Sequence, residues 1–214
     1  MNERRSEPRE SHPPRGSFRA PEGPLLLALL VLALLGLAAG VVALQGLEEL
    51  GLRSLLRATA RSSLALFLAA FSASSLRRLW PTPATAWLLR NRRYLGLAFA
   101  VSHTIHLFAV IGLERGGWVR LDPATLLIGG SAYVVVYGMA ATSSDAAVRA
   151  LGARRWRRLH LVGSWWLWGI FTFFYGARAF AEGWLYVPLV AGLAAALALR
   201  LAARSGRPSR AVSV

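Results

Sequence analysis

Three histidines carry the chemistry this sequence can offer. His106 sits near the middle of the apolar stretch 94–113, which Arg90, Arg92 and Arg93 introduce. An ionisable side chain at bilayer depth is costly, so it marks a functional site whose partner must be found. Neutral imidazole is also a common axial ligand of haem iron. His103 lies one turn earlier, and His160 opens a later apolar segment. His12 falls in a polar stretch and reads as solvated. The chain has no cysteine, which excludes disulfides, thiolate ligation of haem and cysteine-held iron–sulfur clusters.

These histidines need helices to position them, and composition says which kind. The 214 residues are 55% hydrophobic and only 16% charged. Apolar runs of about 20 residues recur, the length that spans ~30 Å of hydrocarbon as helix. An all-α integral membrane protein is expected, with no room for a soluble catalytic domain of ~100 residues. All 25 basic residues are arginine, against 10 acidic ones. They lie between apolar runs and form no single basic face, so the charge does not point to nucleic acid.

Residues 1–23 read as a disordered polar tail and 204–214 as a basic tail. Between them, six spans are expected at 24–44, 62–79, 94–113, 123–142, 159–180 and 184–201. The first is too long for a signal-peptide core and lacks its cleavage site. The two tails and the 2–3 and 4–5 loops hold 19 arginines; the opposite loops hold six, among them Arg61 and Arg178. The positive-inside rule then predicts a six-helix bundle with both termini cytoplasmic. Gly129 and Gly130, inside the fourth span, read as a site of close helix packing.

Three segments resemble the ferric reductase-like transmembrane domain family, in particular the haem-binding membrane subunit of the bacterial periplasmic methionine-sulfoxide reductase system. Thr59-Ala60-Arg61-Ser62-Ser63-Leu64 resembles the family's T-G-R-x-A-L entry to the second helix. Arg92-Arg93-Tyr94-Leu95-Gly96-Leu97 precedes His106 at the family's spacing. Thr142-Ser143, Leu151-Gly152, Arg155-Trp156 and Leu159-His160 resemble its run into the fifth helix. The resemblance covers about residues 24–203. Ala60 replaces the first motif's glycine, and there is a more important departure: the family's further histidine, 13 residues after the Leu-His pair, is Phe173 here.

The resemblance implies transmembrane electron transfer through b-type haem in the bacterial inner membrane. Electrons would enter from quinol or a flavin reductase, with quinone or FMN as further cofactors, and leave to a periplasmic reductase partner. No flavin or nicotinamide domain is expected in the chain itself, so a partner would supply that function. The candidate ligands are His106 and His160, with His103 as a further cofactor contact and Arg61 as a bidentate donor to a haem propionate or an interfacial arginine. Depth separates the two ligands. His106 lies 13 residues past Arg93, about 20 Å along its helix; His160 stands at the start of its own.

Three arrangements stay open. An offset between helices pairs His106 or His103 with His160; a haem is five-coordinate on His106; or the chain is a haem-free scaffold or assembly subunit in which the histidines hydrogen-bond inside the bundle. Arg92, Arg93, Arg155, Arg157 and Arg158 are read chiefly as topology determinants, with anionic lipid contact secondary. Trp165, Trp166 and Trp168 are read as packing or lipid-facing aromatics.

Overall fold

A computed structural model describes residues 20–205. The expected tails and His12 lie outside these residues, except for 20–23 and 204–205. The described chain is all helix: α1 Gly23–Gln45, α2 Glu49–Leu79, α3 Pro83–Arg90, α4 Arg92–Arg115, α5 Pro123–Ala141, α6 Asp145–Leu151, α7 Ala153–Glu182, a 3-10 turn Gly183–Tyr186 and α8 Val187–Ser205.

Local chemistry sets the breaks. Thr82 and Thr85 form a reciprocal capping box at the start of α3, with proline in its first turn. Asp122 caps α5 by accepting from the Thr125 amide at 3.0 Å. Its hydrogen bonds with the Thr125 hydroxyl and amide hold the carboxyl below the usual carboxylate range. Gly152 and Gly183 take φ of 76° and 77°, a region glycine enters without a Cβ penalty. They separate α6 from α7 and α7 from the turn before α8.

Four stretches are long and apolar enough to cross a membrane: Gly23–Gln45, Arg92–Arg115, Pro123–Ala141 and Ala153–Ser205. The last is 53 residues long, about 80 Å if it were one straight helix, and it folds back at Gly183. The chain is thus a multi-pass membrane protein. α2 is not among the four, for a reason visible in its packing. It lies against α1, α3, α4 and α8, and its Thr59, Ser63, Ser72 and Ser75 are buried. A helix enclosed by protein can carry hydroxyls that a lipid-facing helix cannot.

The directions follow from paired residues. Leu52 meets Gly112, Thr59 meets His106 and Ser63 meets Ser102, so α2 and α4 are antiparallel. Met139 meets Gly163 and Thr142 meets His160, so α5 and α7 are antiparallel too. Trp168 donates to the Leu193 carbonyl at 3.1 Å and Trp165 faces Arg200, which sets α7 against α8. Leu64, Phe67, Phe71, Phe99, Leu167, Phe171 and Leu193 form the core between them.

Two ends result. At the Asn91 end, the Gly23 amide donates to Asn91 Oδ1 at 2.8 Å, Trp87 donates to the Pro21 carbonyl at 3.1 Å, and Arg93 pairs with Asp145 at 2.9 Å. At the Trp118 end, Arg53 joins Glu49 at 2.7 Å to the Trp118 carbonyl at 3.2 Å.

The expected role of Gly129 and Gly130 is not met. A Cβ on either would enter open space. Close approach uses other glycines: a Cβ on Gly163 would stand 2.6 Å from Met139 Sδ, and one on Gly112 3.0 Å from Leu52 Cδ1. A stripe of small residues marks a contact only when the fold turns it toward another helix.

At Gly51 the α1–α2 turn brings the Gly46 carbonyl oxygen onto the space a Cβ would fill. Backbone cannot move aside as a flexible side chain can. Gly51→Ala is therefore expected to destabilise the protein by about 2 kcal/mol or more, measured as a lower unfolding midpoint in detergent. Gly130→Ala is expected to leave the midpoint unchanged.

Candidate functional site

The seam between α2 and α4 is polar. Ser102 Oγ lies 2.8 Å from Ser62 Oγ, accepts from Ser63 at 2.9 Å and donates to the Thr59 carbonyl at 3.3 Å. One turn along the same seam stands His106. Its Nδ1 is 3.2 Å from the Leu56 carbonyl and 3.1 Å from Thr59 Oγ1. The Thr59 hydroxyl donates to the Leu55 carbonyl at 2.7 Å, so its oxygen is left to accept. A carbonyl only accepts, so Nδ1 carries the proton and Nε2 the lone pair. The ring is thereby held in the tautomer that a metal-ligating imidazole needs.

His103 stacks beside His106, with ring centroids 5.4 Å apart and planes 8° from parallel. It also contacts Tyr133, Phe99 and Phe171. Both imidazoles are turned toward neighbouring helices. His103 Nδ1 is buried without a hydrogen-bond partner, and so is the Tyr175 hydroxyl. Phe171 lies between them, 6.1 Å from His103 and 6.2 Å from Tyr175.

Arg61 is exposed near this site and makes no ion pair among the described residues. It lies within electrostatic reach of Tyr175, as does Arg178. Arg178 also acts on His106 and pairs with Glu182 at 2.8 Å. Sequence reading gave Arg178 no role beyond topology and missed Leu56 and Tyr133. A backbone carbonyl has no sequence signature, but Arg178 lies 18 residues past His160, a spacing that already placed it at the far end.

His160 is not brought to this site. Its Nε2 lies 3.2 Å from Thr142 Oγ1, whose own hydroxyl donates to the Gly138 carbonyl at 2.7 Å. The Trp156 ring packs on it at 4.3 Å. His160 lines a cleft of about 370 Å³ together with Arg92. Arg92 opens α4, 14 residues before His106, about 21 Å along the axis. The structure therefore brings His103 and His106 together and leaves His160 at the opposite end. Among the described residues, no three His, Cys, Asp or Glu side chains converge as a metal cage.

The chain was compared with known proteins. The heme-binding subunit MsrQ of protein-methionine-sulfoxide reductase from Ralstonia nicotianae is 34% identical over 151 residues, 64% of this chain and 66% of the relative. The one from Polaromonas naphthalenivorans is 33% identical over 148 residues, again 64% and 66%. The one from Rhodospirillum rubrum is 31% identical over 157 residues, 70% of this chain and 74% of the relative. The chain belongs to the MsrQ family. No family model and no solved structure matches it. With the first two relatives, the match spans just under two thirds of their length.

Within this MsrQ-family chain, Phe173 is not turned toward His106. Its ring is 57% exposed and packs edge-on against Phe174. The α7 residue that faces His103 is Phe171, two positions earlier and about 200° away around the helix. Depth was legible from residue counts, whereas phase depended on how α7 settles against its neighbours. The position of the family's further histidine is thus turned away from the His103–His106 layer in this chain. Phe171→Ala is expected to cost about 3 kcal/mol, the range for an emptied aromatic site. Phe173→Ala is expected to stay within about 0.5 kcal/mol; unfolding midpoints in detergent compare the two.

Proposed function

We propose that this protein carries electrons across the bacterial inner membrane through b-type haem, as the membrane subunit of a methionine-sulfoxide reductase system. The observation that carries the reading is His106, whose Nδ1 is engaged by the Leu56 carbonyl and Thr59 while Nε2 takes no hydrogen bond among the described residues. Membership of a family whose relatives are named heme-binding subunits supports it. The buried, unpartnered His103 Nδ1 beside it also fits a bound group.

When bound, haem supplies the one-electron carrier; the chain supplies ligation, orientation and shielding from water. His106 would hold the haem iron. Thr59 and Leu56 orient it, and Phe99, Phe171 and Tyr133 wall the layer. His103 is a packing contact: side by side with His106 and parallel to it, it approaches from the same helix face. The two rings do not bracket one iron. Arg61 is the proposed propionate donor, with Arg178 adding positive charge nearby. His160 is proposed as a separate ligand at the Asn91 end, independent of His106. Electrons enter from quinol or a flavin reductase, with quinone or FMN as further cofactors, and leave to a periplasmic reductase.

We further propose six crossings, with α2 added to the four apolar stretches and the last of these crossing twice, as α7 and α8, and both termini cytoplasmic. The arginine split supports this. A C-terminal alkaline phosphatase fusion is expected to be inactive; activity would reverse the orientation.

The ligand test is spectroscopic. Purified full-length protein is expected to show a Soret band with a high-spin, five-coordinate component from His106. His106→Ala should remove most of that haem, and His103→Ala much less. Thr59→Val should weaken retention about tenfold, the low end for loss of an outer-shell partner. An unchanged pyridine haemochrome yield in His106→Ala would eliminate His106 as the ligand, and the absence of a Soret band in wild type would favour the scaffold reading.

A further inference from the structure

Beside His160, the cleft at the Asn91 end gathers arginines to which the electron-carrying role assigns nothing. Arg78, Arg92, Arg157, Arg200 and Arg204 line it with His160, and no carboxylate is among its walls. None of the five arginines joins an ion pair among the described residues. They come from α2, α4, α7 and α8, so only the tertiary fold assembles them.

Two of these guanidiniums are held in place without being neutralised. Arg92 Nη1 donates to Ser74 Oγ at 3.1 Å. Arg200 donates through Nε and Nη2 to the Phe71 carbonyl, at 3.3 and 3.2 Å. Arg200 also lies over the Phe71 ring at 3.7 Å, and Arg204 lies near the Trp165 ring at 5.6 Å. Fixed arginines present planar donor forks that match phosphate oxygens. Like charges gathered in one cleft repel each other, and an anion bound between them relieves that repulsion. The cleft opens between helices at one end of the bundle, where a lipid headgroup lies and where basic pockets between spanning helices recognise anionic lipids.

We propose that this cleft is a phosphate-binding site, filled by the headgroup of an anionic phospholipid. The phosphodiester sits among the five guanidiniums, and the acyl chains run down the bundle's outer surface. The assignment does not depend on haem.

Arg157 and Arg204 are exposed and make no hydrogen bond among the described residues, so the double variant Arg157→Gln/Arg204→Gln removes two of the five charges and, of the packing, only the contact of Arg204 with the Trp165 ring. The full-length chain is placed in nanodiscs of phosphatidylcholine with a small fraction of spin-labelled phosphatidylglycerol, and lipid retention is measured. Wild type is expected to hold the anionic lipid at least tenfold more tightly than the double variant and to show no preference for labelled phosphatidylcholine. Arg57→Gln/Arg115→Gln, at the Trp118 end, should match wild type. Millimolar inorganic phosphate should not displace the lipid. Two outcomes overturn the lipid assignment. If phosphate or a soluble phosphomonoester binds in a way the double variant abolishes, while the lipid shows no selection, the site takes phosphate from solution. If neither probe separates wild type from the double variant, no phosphate site exists there. Circular dichroism and gel filtration confirm that each variant is folded.

Discussion

A polar group buried in a membrane protein must find its partner inside the protein, because hydrocarbon offers none. Nor does lipid drive helices together as water does. The α2–α4 seam answers both conditions. Ser62, Ser63 and Thr59 on one helix and Ser102 and His106 on the other satisfy each other, and in doing so they fix the register. The rest of the site depends on that register. It puts the Leu56 carbonyl opposite His106 Nδ1, and it leaves the other imidazole nitrogen free for chemistry.

The two ends of the bundle differ in how they treat charge. At the Trp118 end, Arg53 and Arg178 each have a carboxylate partner within one helical turn. At the Asn91 end, Arg93 and Arg90 are paired, but the five arginines of the cleft are not, among the described residues. An end with a five-arginine cleft and an end without one suit a membrane whose two surfaces differ in charge. The same asymmetry separates the two histidine sites: His106 lies in an aromatic layer, His160 among cations.

Threonine recurs as the device that sets each histidine. Thr59 and Thr142 each donate their hydroxyl to a carbonyl four residues back in their own helix, leaving the oxygen to accept from a ring nitrogen on another helix. Each arrangement selects a tautomer, but opposite ones: Nδ1 is engaged in His106 and Nε2 in His160. Both threonines lie in the segments that carry the family likeness, 59–64 and 142–160. The motifs therefore hold the hydrogen-bonding partners of the two histidines.

The sequence by itself determined the all-helical membrane character, the approximate limits of α1, α4 and α5, the grouping of arginines and the separation in depth of His106 from His160. Those properties follow from counting along one chain: apolar run length, arginine placement and a rise of about 1.5 Å per residue. What the sequence did not determine was phase. Phe171 faces His103 and Phe173 turns outward; Gly163 makes a close contact and Gly129 makes none; α2 begins at Glu49, well before the apolar run at 62 that marked it. Each of these depends on which side of a helix meets a neighbour. In a helix that is apolar on nearly every face, hydrophobic periodicity carries almost no signal about that side. The tertiary structure decides it through the few polar pairs that must close, and the basic cleft, drawn from four helices, exists only once they have.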